Sequence, residues 1–295
     1  MDLSIVIVNY NTGHLLRACL ESLPSAVSGL EYEVWVVDNA SQDNSADMVA
    51  AEFPTVQLIA SEQNLGFAKA NNLALKRASG RYCLLLNPDT EPKPGALRRM
   101  VDYLDTHPDV GAVGPKLLNS DGSLQRNGRP FPSPLRELLG FDIIRKFFSG
   151  LLGLKFEFGR DDFDVEWDVD HVSGACIMVP RRVIEAVGML DEAFFMFYEE
   201  VEWCWRIKRA GYRVVYLPQA EVVHHWMGSV KTQYRQMARL LLKSSFIYYR
   251  KTAPLPVRLL AALVNVARLA RNEFIHVGVG IKRRLRCWLA KRPVR

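Results

Sequence analysis

The run LSIVIV at residues 3–8 is apolar throughout and largely β-branched, the pattern of a strand buried on both faces. YEVWVV at 32–37, VQLIA at 56–60 and YCLLL at 82–86 repeat it. Helices are expected between them at His14–Leu23, Ala46–Glu52 and Gly66–Ala78. Strand–helix alternation at this spacing implies a parallel sheet with helices on both faces, an α/β fold. Ligands of such sheets sit beyond the carboxyl ends of the strands. Asn9, Asp38 and Asp89 all fall there.

The rest of the composition narrows the classes. The chain has 295 residues, 49% hydrophobic and 24% charged, which excludes a disordered or fibrous protein. Five cysteines with no C-x-x-C pair argue against a disulfide framework or a thiolate zinc site, and favour a reducing compartment. The N-terminal MDLSIVIVNYNTG reads as a buried strand, not a secretory signal, and no uncharged apolar run is long enough for an ordinary membrane span. No G-x-G-x-x-G follows the first strand and no G-x-x-x-x-G-K-[ST] occurs, so dinucleotide and P-loop enzymes are disfavoured. A nucleotide bound here would need its phosphates neutralised by a metal on a carboxylate.

Asn87-Pro88-Asp89-Thr90 ends the strand YCLLL. It reads either as a proline turn with a capping aspartate, or as a site where Asp89 holds a divalent cation bridging a nucleotide diphosphate. The acidic run in FFMFYEEVEWCWR has a similar double reading. Glu199 and Glu200 are a solvated helix start, or carboxylates among aromatic rings whose raised pKa suits them to take a proton from a hydroxyl.

IVIVNYN at 5–11, VVDNASQDNS at 36–45, NLGFAKANN at 64–72, LLLNPDTEP at 84–92 and the long run HVSGACIMVP to AEVVHH at 171–225 resemble the motif series of family 2 inverting glycosyltransferases. The resemblance covers roughly residues 3–230, and within the family the rhamnosyltransferase-like branch is the most similar. It implies a GT-A fold, a nucleotide-sugar-binding α/β architecture with a mainly parallel central sheet, here followed by a helical, basic C-terminal extension.

The resemblance also implies roles. Asp38 matches the aspartate that reads the pyrimidine base, Asn9 and Tyr10 the first nucleotide loop, and Asn64 and Asn72 a loop–helix motif beside the donor. Asp89 matches the metal-binding aspartate of a D-x-D motif whose first position is here Asn87. Glu199-Glu200 matches the acidic pair whose second member is the catalytic base, so Glu200 is chosen over Glu199. His224, with His225 as fallback, matches a histidine completing the metal site for Mn2+ or Mg2+. Arg206 is expected to brace the acidic pair. Glu200 would then deprotonate an acceptor hydroxyl that attacks the anomeric carbon in one inverting displacement. The implied donor is a nucleoside-diphosphate sugar, dTDP-rhamnose first and a UDP-sugar next, and the acceptor a saccharide of bacterial surface polysaccharide synthesis, free or lipid-linked. A sugar-nucleotide pyrophosphorylase, a glycoside hydrolase and a non-catalytic scaffold of the same fold are the competing readings.

Charge divides the chain at residue 230. Residues 231–295 carry sixteen Lys and Arg against one acidic residue, Glu273, which leaves 22 basic and 31 acidic residues in 1–230. A catalytic domain over 1–230 and a basic amphipathic region over 231–295 are therefore expected. With no zinc-finger or RNA-binding signature, the tail's expected partner is an anionic membrane surface rather than nucleic acid. Pro254–Asn272 places Arg258, Ala261, Asn265, Arg268 and Asn272 on a narrow polar stripe amid leucines, followed by Lys282-Arg283-Arg284-Leu285-Arg286 and Trp288. The implied location is cytoplasmic, peripheral on the inner face of the cell membrane. Residues 120–165, aromatic-rich and broken by Gly and Pro, are read as an inserted helix covering the core, an acceptor-side segment or a membrane-touching one.

Overall fold

The computed structural model describes residues 1–139, 162–225 and 234–270. Two compact units divide the chain: Met1–Phe131 with Glu157–Ser229, and Pro132–Phe156 with Val230–Arg295.

The first unit is built on one sheet. Its strands are β1 (Leu3–Asn9), β2 (Tyr32–Asp38), β3 (Gln57–Ala60), β4 (Tyr82–Leu86), β5 (Thr90–Pro92), β6 (Val110–Leu118), β7 (Leu124–Gln125), β8 (Trp167–Val169), β9 (Cys176–Pro180) and β10 (Arg213–His224). The order is β3-β2-β1-β4-β9-β6-β10-β5, with β7 on β6 and β8 on β10. The β3-β2-β1-β4 half is parallel, as the alternation with α1 (Gly13–Val27), α2 (Ser45–Glu52) and α3 (Phe67–Leu75) demands. β9 then runs antiparallel between β4 and β6, and the second half is mixed.

Side-chain alternation explains why the sheet is covered on both faces. Leu3, Ile5 and Ile7 pack with Leu84 and Leu86 into one core, under α1 and α4 (Ala96–Thr106). Val6 and Val8 pack with Cys83 and Leu85 into the other, under α3 and two later helices, α6 (Arg181–Val187) and α7 (Glu199–Arg209). Helix α1 runs four residues past the expected end, with Pro24 inside it.

In the second unit α5 (Pro134–Leu139), α8 (Tyr234–Thr252) and α9 (255–270) are helical. Glu137 of α5 accepts from the Tyr249 hydroxyl at 3.2 Å and pairs with Arg268 at 3.1 Å. Asn265 donates to Ser245 Oγ at 3.0 Å across the buried α8–α9 seam. Of the polar stripe expected on α9, Ala261, Asn265 and Arg268 thus face inward, Arg258 is exposed and Asn272 lies outside the described residues. The basic cluster at 282–286, Trp288 and most of the 120–165 segment's unread middle, 140–161, lie outside the described residues.

Candidate active site

The donor side forms where β1 and β2 end. Asn9 and Asp38 are the last residues of those strands and lie in register. Asn9 Nδ2 donates to Asp38 Oδ1 and to Ser41 Oγ, each at 3.1 Å, and the Ser41 amide donates to Asp38 Oδ2 at 3.0 Å. Both side chains are buried yet end in a polar loop, while Tyr10 beside them is exposed. The loop is tied back by Gln42, whose amide donates to Asn11 Oδ1 at 2.6 Å. The polar motif 38–45 is therefore a closed surface and not a floppy connection.

Asn39 is a residue that sequence reasoning missed. Buried next to Asp38, it takes the Leu65 amide at 2.7 Å and donates to Asn64 Oδ1 at 3.0 Å. Asn64 in turn accepts from the Gly66 amide at 2.9 Å. Asn64 therefore joins the loop before α3 to the end of β2. Asn72, farther along α3, donates to the Leu190 carbonyl at 2.8 Å and to Glu192 at 3.0 Å. Its amide nitrogen is spent on the loop that leads to the acidic pair.

Gly66 makes that docking possible. Its φ is +77°, and an added Cβ would lie 2.3 Å from the Phe195 carbonyl oxygen, which accepts from the Phe67 amide at 2.6 Å. Phe197 and Tyr198 then both take left-handed φ, 71° and 70°, immediately before Glu199. Two consecutive bulky residues there are strained, and such strain persists only where the surroundings over-determine it. Here it turns the chain sharply into α7 and aims the first turn of that helix.

Glu199, Glu200 and Glu202 occupy that turn, where the helix dipole favours negative charge. They divide by environment. Glu202 is buried and held by Arg206 Nε at 2.9 Å, while Arg206 also donates to the carbonyls of Val187 and Met189. Arg206 thus braces Glu202 and the 187–189 turn, not the Glu199–Glu200 pair. Burial, and then the Glu200 charge, push Glu199 well above the ordinary carboxylate range. Burial also raises Glu200, opposed by backbone N–H groups of Glu200, Val201 and Gly174 and by the Arg129 charge. Each carboxyl keeps one buried oxygen without a hydrogen-bond partner. Both carboxyls are raised, Glu199 more strongly than Glu200.

Asp89 stands on the turn after β4. His224, the last residue of β10, brings Nε2 to 3.3 Å from Asp89 Oδ1, and the His225 amide donates to the Asp89 carbonyl at 2.9 Å. His224 Nδ1 lies 2.6 Å from Gln125 Oε1, an acceptor that orients the ring and turns Nε2 toward Asp89. That Nε2 is buried and makes no hydrogen bond among the described residues, with Asp89 Oδ1 facing it. His225, by contrast, has Nε2 at 2.6 Å from Glu91 and Nδ1 at 2.8 Å from Ser120. Among the described residues no cluster of three or more His, Cys, Asp or Glu side chains gathers to hold a metal. Asp89 and His224 fit an ion that takes its remaining ligands from phosphate and water.

A short turn links the two halves. Asn87 donates its amide to the Ala175 carbonyl at 2.9 Å, and Gly174, one residue earlier, lies in van der Waals reach of the Glu200 side chain. Asn127, buried, fixes this turn by accepting from the Ser173 amide at 2.8 Å. Asn127, Gln125 and Arg129 sit in the stretch that the sequence left unread.

A sequence model of Glycosyl transferase family 2 matches residues 4–188. The chain belongs to glycosyl transferase family 2. It is a glycosyltransferase, and its relatives are of the rhamnosyltransferase kind. The N-acetylglucosaminyl-diphospho-decaprenol L-rhamnosyltransferase of Mycobacterium tuberculosis is 29% identical over 235 residues, covering 76% of each chain. Rhamnosyltransferase WbbL of Escherichia coli K12 is 24% identical over 252 residues, covering 83% of this chain and 91% of its own. The mannosyltransferase PcManGT of Pyrobaculum calidifontis, solved with GDP-Man and Mn2+, superposes with a TM-score of 0.58 at 19% identity, over 95% of this chain and 79% of that one. The GT-A glycosyltransferase fold is thereby shown.

Proposed function

We propose that this family 2 enzyme transfers a sugar, with inversion, from a nucleoside-diphosphate sugar to a saccharide acceptor in bacterial surface polysaccharide synthesis. The observation that carries the reading is the Asn87–Ala175 backbone pairing. It sets the Asp89–His224 pair beside the turn against which Glu200 packs. A diphosphate-holding pair and a basic carboxylate on neighbouring turns are what a single displacement needs.

On the donor side, Asp38 and Asn9 receive the pyrimidine base and Tyr10 covers it from the rim. Asn64 and Asn72 act from behind, Asn64 through Asn39 and Gly66, Asn72 through the Leu190–Glu192 loop. Asp89 and His224 would hold Mn2+ or Mg2+, and Asn87 lies against the same diphosphate. An ion held there would supply Lewis-acid stabilisation of charge on the departing nucleoside diphosphate. Glu200 takes the proton of the acceptor hydroxyl as it attacks the anomeric carbon, and Glu199 stays protonated so that only one of the pair carries charge. Two carboxylates this close and this buried cannot both ionise cheaply.

The donor is dTDP-rhamnose in the first instance and a UDP-sugar in the second. Support comes from relatives named as rhamnosyltransferases, among them the dTDP-rhamnosyl transferase RfbF of Shigella flexneri at 26% identity over 232 residues. The acceptor is a saccharide on a lipid carrier, as the name of the mycobacterial relative suggests. Residues 1–230 form the catalytic domain and 231–295 its membrane-associating extension, at the cytoplasmic face of the cell membrane. Nucleotide release from a panel of dTDP-, UDP- and GDP-sugars, with Mn2+ or Mg2+ and then with chelator, tests the reading. Release from a dTDP- or UDP-sugar only with metal is expected. Preference for a GDP-sugar, or release indifferent to chelator, would contradict it.

A further inference from the structure

Helix α9 in the second unit is packed inside out. Ala261, Val264 and Asn265 are buried, Asn265 at 1% exposure with its amide donating to Ser245, and Arg268 pairs with Glu137. Leu255, Leu259, Leu260, Leu263 and Val266 are exposed, Leu263 at 69%. Their spacing of three and four residues puts them along one face, opposite the seam with α8. A water-soluble helix has the reverse arrangement. It buries its leucines and exposes its asparagine and arginine.

We propose that the leucine face of α9 is a membrane-docking surface that lies in the interface of an anionic bilayer. Two observations favour lipid over other occupants. The first is charge: residues 231–295 hold sixteen Lys and Arg and one acidic residue. Lys243, Arg250, Lys251 and Arg258 are exposed on the two helices described. Exposed leucines in a segment carrying such a surplus match the acyl–headgroup boundary of an anionic leaflet, where apolar burial and electrostatic attraction act together. A second copy of the same face would instead bring that surplus against itself. The second is the buried polar seam. Asn265–Ser245 and Arg268–Glu137 hold α9 in a fixed rotation, so its apolar side is presented and not merely frayed outward. No described helix is long and apolar enough to cross a membrane.

The inference rests on the lipid-linked acceptor reading for its purpose, but its test does not. The full-length protein is sedimented with vesicles of phosphatidylcholine alone or with a third phosphatidylglycerol, without donor or acceptor. Binding to the anionic vesicles only is expected, weakened by high salt. Leu259→Ser with Leu263→Ser, at exposed positions, should cut that binding at least ~10-fold. The thermal midpoint and nucleotide release with a soluble acceptor should stay unchanged. Undiminished vesicle binding of this folded variant would overturn the proposal. So would a dimer in solution that the same substitutions dissociate, with no vesicle binding by the parent protein. Failure of every donor in the release assay, with vesicle binding intact, would count against the proposed reaction alone.

Discussion

His224 points its two ring nitrogens at different partners, Nδ1 at Gln125 Oε1 at 2.6 Å and Nε2 at Asp89 Oδ1 at 3.3 Å. The Gln125 contact holds the ring orientation that aims Nε2 at Asp89. Gln125→Leu should therefore weaken Mn2+-dependent nucleotide binding by ~10–100-fold, the usual cost of removing a residue that orients a ligating histidine. Metal-independent affinity should not move. Isothermal titration of dTDP or UDP, with and without Mn2+, reads both quantities.

The acidic pair should separate kinetically. Glu200→Gln is expected to bind donor normally and transfer sugar at least ~100-fold more slowly, the scale of losing a general base. Glu199→Gln should be milder, because burial and the Glu200 charge raise Glu199 the more strongly of the two. Single-turnover rates at saturating donor compare them. The reverse order would make Glu199 the base.

Stability should report the same asymmetry. Glu199 has a folded pKa raised above its unfolded value, so the folded state binds the extra proton. Its contribution is fully present below the ordinary glutamate value of 4.5 and is lost as pH rises through the folded value. Glu199→Gln cannot lose that proton. Its thermal midpoint should exceed the parent's at neutral and alkaline pH, and the difference should shrink toward zero as pH falls below 4.5. Thermal melts across that window check the sign.

Gly66→Ala should disturb the site from a distance. The new Cβ would meet the Phe195 carbonyl oxygen at 2.3 Å, at a φ of +77° that alanine resists. A loss of about 1–3 kcal/mol is expected, the range for a single backbone-strain substitution. Transfer should fall as well, because the displaced loop runs directly into Glu199. Urea unfolding and turnover measured on one preparation test both.

Local features of this fold were legible and long-range ones were not. LSIVIV, YEVWVV and YCLLL declare their strands because residues buried on both faces leave an unbroken apolar run. Asn9, Asp38 and Asp89 could be placed near strand ends for the same reason. CIMVP at 176–180 is equally apolar, yet nothing in it says that it runs antiparallel between β4 and β6, since pairing partners 65 to 98 residues apart leave no local signature. Asn39 was passed over beside Asp38, although its burial and its bonds to Asn64 and Leu65 join two loops. Gln125, Asn127 and Arg129 lie in a stretch without periodicity, and only folding brings them to His224, the Ser173–Ala175 turn and Glu200. The stripe at Ala261, Asn265 and Arg268 was visible as a pattern. Which side of it would face α8 was not, because helical spacing fixes a face and not its partner.

The central claim is that Asp89 holds the ion through which the nucleotide diphosphate is bound. Calorimetric titration of dTDP and UDP into the parent protein and Asp89→Ala, with Mn2+ and with chelator, tests it most directly. Binding by the parent in Mn2+ alone, absent from an Asp89→Ala variant of unchanged melting temperature, is the expected result. Undiminished Mn2+-dependent binding of either nucleotide by that variant would contradict the account.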